Sequence, residues 1–149
     1  MSLQDLLAEG RLRRHETSAD EVSALLQVSE RDLADAVIAA LSTDRRFATA
    51  YNGALALATM VLHAAGYRAS GAGHHWVTLR ALPLIMGEQF QAKADYFDQC
   101  RSKRNIADYD RVGEVADAQV AELVAETRTF QGEVLQWLRA IHPQLAPEG

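Results

Sequence analysis

The chain of 149 residues is 48% hydrophobic and 23% charged, the balance of an ordinary globular protein built on a single core. Its formal net charge of −5 argues against a protein that coats nucleic acid indiscriminately, and its one cysteine, Cys100, excludes an intrachain disulfide and a thiolate zinc site. No apolar run reaches the roughly 20 residues of a membrane span, and the start of the chain lacks the basic-then-apolar order of a signal peptide, so a cytoplasmic protein that makes no membrane contact is expected.

Leu3, Leu6 and Leu7 stand at helical spacing before Gly10, which predicts a short first helix. The basic run Arg11, Arg13, Arg14 and His15 reads as a solvated connector rather than a nucleic-acid arm. Ser18-Ala-Asp-Glu21 has the form of a capping box, in which Glu21 reaches back to the cap amide. Beyond it Val22, Leu25, Leu26, Ser29, Leu33, Val37, Ile38 and Leu41 share one face of a long amphipathic helix. Thr43 or Asp44 is suited to cap the next helix, along which Phe47, Tyr51, Ala54, Leu55, Ala58, Val61, Leu62 and Ala65 keep the same period. Its many alanines allow close neighbours, so it is expected to be the central, most buried helix.

A glycine-containing loop, Gly66 to Gly73, precedes a shorter helix opened by His74-His75-Trp76 and stopped near Pro83 or at Gly87. Phe90, Ala94, Phe97 and Arg101 then repeat at three and four, with Asp110 and Gly113 as terminators. A last helix is predicted from about Glu114 to His142, with a stripe of Val120, Leu123, Val124, Thr127, Val134, Leu135, Leu138 and Ile141. No segment alternates with period two over a useful length. The expected fold is all-α, an up-and-down helical bundle of four main helices plus short additional ones. It forms one domain over 1–149, with its core at about 18–142 and a loose tail at 143–149.

Chemistry concentrates in Cys100 to Asp110, where Arg101, Lys103, Arg104, Asn105, Asp108, Tyr109 and Asp110 crowd the end of a helical pattern. Three cations within four residues suit a phosphate, whereas Arg104 and Asp108 at i,i+4 can equally pair on the helix surface. Asn105 can orient a phosphate or ribose, or cap the helix. On an ideal helix Tyr109 sits about 140° round from Arg104, so the two converge only if the helix ends or bends. His74 and His75 can supply an imidazole to this region, or serve as capping or partly buried residues. The five histidines contain no i,i+4 pair and no Glu-x-x-His occurs, so neither a metal nor a cofactor is expected. Phosphate-binding glycine loops and nucleophile elbows are absent.

Three stretches together resemble one family. RRFATAYNGALALATMVLHAAGY (Arg45 to Tyr67) resembles the second helix of the HEPN domains (higher eukaryotes and prokaryotes nucleotide-binding). GHHWVTLRAL (Gly73 to Leu82) resembles their histidine-bearing third helix, and KRNIADYD (Lys103 to Asp110) their signature of an arginine, a polar residue and a histidine four to six positions after the arginine. The resemblance implies a dimeric helical bundle whose signature arginines face one cleft. It implies either a metal-independent endoribonuclease, often a toxin of a toxin–antitoxin pair, or an inactive module that binds RNA, a nucleotide or a protein partner, including an antitoxin or a nucleotidyltransferase.

Carried over, Arg104 takes the arginine position and Asn105 the polar one, and Tyr109 stands where histidine is expected; an alternative alignment uses Arg101 and Asp108. A phenol of ordinary pKa about 10 is a poor general base near neutrality, so the replacement argues against catalysis. The expected function is therefore a dimeric binding module of a toxin–antitoxin or defence pair. Its candidate ligand residues are Arg101, Arg104, Asn105, Asp108, Tyr109, His74 and His75. The alternatives are an endoribonuclease using Arg104 and a structural interaction bundle without ligand.

Overall fold

The computed structural model describes residues 1–109 and 115–147, with side chains for 1–105 and 115–147. The side chains of the site residues Asp108 and Tyr109, and the whole of the terminators Asp110 and Gly113, lie outside these limits. In chain order the elements are α1 (Leu3–Ala8), β1 (Leu12–Arg14), α2 (Ala19–Ala36), α3 (Thr43–Ala64), β2 (Tyr67–Ala69), α4 (His74–Met86), a 3-10 turn (Glu88–Phe90), α5 (Gln91–Tyr109) and α6 (Asp117–Ile141). The fold is an all-α helical bundle with one small two-stranded ribbon. No helix among the described residues is long and apolar enough to cross a membrane.

Helix α3 is the spine. Twelve of its 22 residues are buried, among them Phe47, Tyr51, Leu57, Met60, Val61 and Leu62. Small residues let its neighbours approach: a Cβ built on Gly53 would meet the Ser29 carbonyl oxygen at 3.4 Å and Leu33 Cγ at 3.6 Å, so α2 lies almost against the α3 backbone there. Helices α4, α5 and α6 enclose the rest of α3. Phe97 of α5 stacks at a tilt on Phe130 of α6, with ring centroids 5.3 Å apart, and both rings are fully buried. Each such side chain contributes about 1.5–3 kcal/mol through removal from water. Lys93 of α5 bonds Glu126 of α6 at 2.9 Å, and Arg80 of α4 reaches Asp95 of α5 at 2.9 Å.

Several sequence expectations are corrected in detail. Helix α2 ends at Ala36, so Val37 and Ile38 leave the helical face and are 53% and 45% exposed. The Arg46 side chain stops it by donating from Nε to the Ala36 carbonyl at 2.7 Å. The cap of α3 is Ser42, which accepts from the Arg45 amide, not Thr43 or Asp44. Of the two expected stops of α4 the structure takes the second: the helix runs through Pro83 to Met86, with Gly87 as its cap. In α6, Phe130 belongs to the buried stripe and Ile141 is 59% exposed. The basic connector is a strand: β1 pairs antiparallel with β2 in the register Leu12↔Ala69, Arg13↔Arg68 and Arg14↔Tyr67. Three residues per strand are too few for alternation to register as a pattern. A second small core of Leu6, Leu12, Leu62, Tyr67, Val77 and Ala81 fastens this ribbon to α3 and α4.

The spacing at Gly53 makes a prediction. Alanine fits within ordinary contact and improves helix propensity, by up to about 1 kcal/mol, so Gly53→Ala should be neutral or mildly stabilising. Gly53→Leu should cost about 1–3 kcal/mol by wedging α2 from α3. Denaturant midpoints of the two variants check this. Leucine tolerated as well as alanine would contradict the close packing of α2 on α3.

Candidate functional site

Two clusters of polar side chains are built on α3, one at Tyr51 and one at His63. Twelve residues separate them, about 18 Å along the helix.

At the first, the Tyr51 ring is fully buried and forms the floor. Its hydroxyl lies 3.3 Å from His75 Nδ1 in the first turn of α4. The Arg104 guanidinium of α5 stands over the same ring, its Cζ 5.8 Å from the centroid, within the range of a cation–π contact. Arg101, one turn earlier, donates from Nε to Asp98 at 2.8 Å. Burial pushes the Tyr51 phenol well above its ordinary value, against the lowering pull of Arg101 and Arg104. Burial first, then the positive charges of Arg104 and Arg101, push His75 below the usual imidazole range. The phenol therefore stays protonated and the imidazole neutral at pH 7.

The start of α4 is fixed so that His75 can reach this place. Gly71 and Gly73 take φ of +77° in the loop before it, a left-handed conformation that favours glycine. Ser70 ties the same loop to the turn after α1: its amide bonds the Arg11 carbonyl at 2.9 Å and its hydroxyl the Gly10 carbonyl at 2.7 Å.

The sequence candidates thus separate. His75 and Arg104 meet at Tyr51, with Arg101 one turn of α5 away and bonded to Asp98, whereas His74 is exposed on the first turn of α4. Asn105 is half-buried and accepts from Arg104 Nη1 at 3.4 Å. Lys103 does not join the arginines. It lines a separate small cavity of about 130 Å³ with Phe47, Tyr96, Cys100 and Glu122. Burial pushes the Cys100 thiol up to about 11, so this cysteine is an inert core residue.

The second cluster joins residues far apart in sequence. Ser18 caps α2 by accepting from the Glu21 amide at 3.1 Å, but Glu21 does not reach back as a capping box requires. Its carboxylate turns instead to His15, whose Nε2 lies 2.6 Å from Oε1, and to the Thr17 hydroxyl at 2.8 Å. Nδ1 of His63, in the last turn of α3, is 2.8 Å from the same oxygen. The His15 contact holds Glu21 below the usual carboxylate range against the opposing effect of burial. Burial and His15 push His63 down. Between the clusters a cavity of about 360 Å³ runs beside α3 and α4, lined by Leu55, Thr59, His63, Arg68 and His75 among others.

No family model matches the chain, and neither a curated protein nor a solved structure matches it.

The depressed His75 pKa has a definite sign. The neutral imidazole is favoured by the fold, so its contribution to stability is fully present above about pH 6.5. It is lost as pH falls through the lower folded value. The NMR titration of His75 should therefore have its midpoint below about 6.5. Arg104→Ala should raise that midpoint without fully restoring it, because the burial remains. An unchanged midpoint would show that Arg104 exerts no field at His75.

Proposed function

We propose that this chain is a HEPN-like binding module that takes a phosphate-bearing ligand, RNA or a nucleotide, at the junction of α3, α4 and α5. The observation that carries the reading is the meeting of His75 and Arg104 over Tyr51. A guanidinium supplies fixed donors to phosphate oxygens. The protonated Tyr51 hydroxyl donates to His75 Nδ1, which leaves the ring proton on Nε2. That tautomer offers His75 as a second donor, and Arg101 adds positive charge one turn away. In this reading the module acts as a homodimer, with the arginines of two copies facing one cleft, and belongs to a toxin–antitoxin or defence pair.

The same histidine supports a second reading, a metal-independent endoribonuclease. The carried-over signature lacks its histidine, and His75 places an imidazole of lowered pKa beside Arg104. Catalysis as a base would require the other tautomer, with Nε2 unprotonated, so the binding reading stands first.

Fluorescence anisotropy with short single-stranded RNA and with a nucleoside triphosphate, in chelator, tests both. Arg104→Ala should weaken binding by about 1–3 kcal/mol, the worth of a hydrogen bond to a charged group, and lower the salt dependence. Its stability should fall by only about 0.5–1 kcal/mol, the worth of the cation–π contact with Tyr51. Unaltered binding in Arg104→Ala would reject the site. Chelator-resistant cleavage of RNA by the wild type that disappears in His75→Asn would replace the binding reading with the second.

A further inference from the structure

The histidine pair around Glu21 is built differently from a hydrogen-bonded surface cluster. Three donor groups crowd one carboxylate oxygen: His15 Nε2 at 2.6 Å, Thr17 Oγ1 at 2.8 Å and His63 Nδ1 at 2.8 Å. A carboxylate oxygen has two in-plane lone pairs, so one contact is in excess. His63 bears the consequence. Its Nδ1 is sealed from solvent and, despite its proximity to Glu21, makes no hydrogen bond of acceptable geometry. A buried nitrogen left in this state calls for a partner. The two rings also lie close, with centroids 4.4 Å apart at 45°, so both nitrogens converge on one point.

We propose that His15, Glu21 and His63 form a three-ligand site for a divalent transition-metal ion of the zinc class. One donor atom from each lies within 4.8 Å of the other two. Two imidazoles and one carboxylate select zinc, cobalt or nickel over magnesium and calcium, which prefer all-oxygen sets. Around tetrahedral zinc the ligand atoms stand about 3.3 Å apart, given bonds of about 2.0–2.2 Å. Opening the two nitrogen–carboxylate contacts from 2.6 and 2.8 Å to that spacing takes about 0.5–0.7 Å, and Glu21, whose side chain is 38% exposed, has room to move. Thr17 would then orient the ligating carboxylate from outside the coordination sphere.

The backbone holds the ligands for this purpose. Gly66, at φ +97°, turns the chain directly after α3. Its amide bonds the His63 carbonyl at 2.9 Å, and its carbonyl accepts the His15 amide at 2.8 Å. One glycine thus links the two histidines, while the Ser18 cap sets Glu21 on the first turn of α2. Three protein ligands leave a fourth coordination position for water or an anion. His63 also lines the cavity that reaches His75.

Full-length protein stripped with chelator and dialysed should be titrated with Co²⁺ and, separately, with Zn²⁺. The expected results are visible absorption of tetrahedral intensity at one Co²⁺ per chain, and a melting temperature that rises with Zn²⁺ concentration. Glu21→Gln, His63→Asn and His15→Asn should each weaken binding by more than the about 10–100-fold that loss of an outer-shell partner costs. His74→Asn, at an exposed position, should not. His15→Asn removes a ligand outside the helices, so it keeps the test valid if a helix variant fails to fold. Absent cobalt absorption, or absorption that survives His15→Asn or vanishes in His74→Asn, would overturn the site.

Discussion

Helix α3 is buried around most of its circumference, and every other element is placed by how closely it can approach that helix. Gly53 sets the limit for α2, and the alanines of α3 keep its surface shallow elsewhere. Close approach has an electrostatic consequence. Side chains that reach α3 from α4, α5 and the N-terminal segment arrive in a partly dry environment, where charges act over distance more strongly than in water. The two polar clusters on α3 therefore consist of groups with displaced protonation, His75 and Tyr51 in one and His63 and Glu21 in the other.

Tyr51 shows how packing and chemistry meet in one residue. Its ring belongs to the main core with Phe47, Leu57 and Leu79, and its hydroxyl is the one polar atom it brings there. A fully buried phenol needs a partner, and His75 provides it. The ring face in turn accepts the Arg104 guanidinium. A core residue thus orients two solvent-accessible groups, which keeps their positions precise without loops. Arg104 beside a neutral imidazole is a donor-rich surface, and the proposal of a phosphate-bearing ligand rests on it.

Much of the bundle was legible in the sequence because long helices repeat their apolar period many times. On α3 the expected Phe47, Tyr51, Ala54, Ala58, Val61 and Leu62 are buried, but so are Leu57 and Met60 off that stripe, because neighbours surround the helix. Legibility failed where a signal was short or its cause lay elsewhere. Val37 and Ile38 continue the spacing of α2, yet the helix is stopped by Arg46 from the next element. The β1–β2 ribbon is too brief to alternate. At the site, the arginines were visible as a dense run, but no rule of spacing distinguishes Lys103, which turns toward α6, from Arg104. His63 stands far along the chain from His15 and Glu21, and the turn at Gly66 brings the histidines together. The one sequence clue was misleading: Glu21 fits a capping box, and the structure commits its carboxylate to the histidines instead.

The central claim is that Arg104 and His75, set by Tyr51, present one anion-accepting surface. Chemical-shift mapping on isotopically labelled protein with a short single-stranded RNA tests it most directly, because it locates a contact without a mutation. The account predicts that the Arg104 and His75 side-chain resonances move together, along a single saturation curve, with those of Arg101. Shifts confined to Lys103 and the α6 side, or to the arginines of the β1–β2 ribbon, would contradict it.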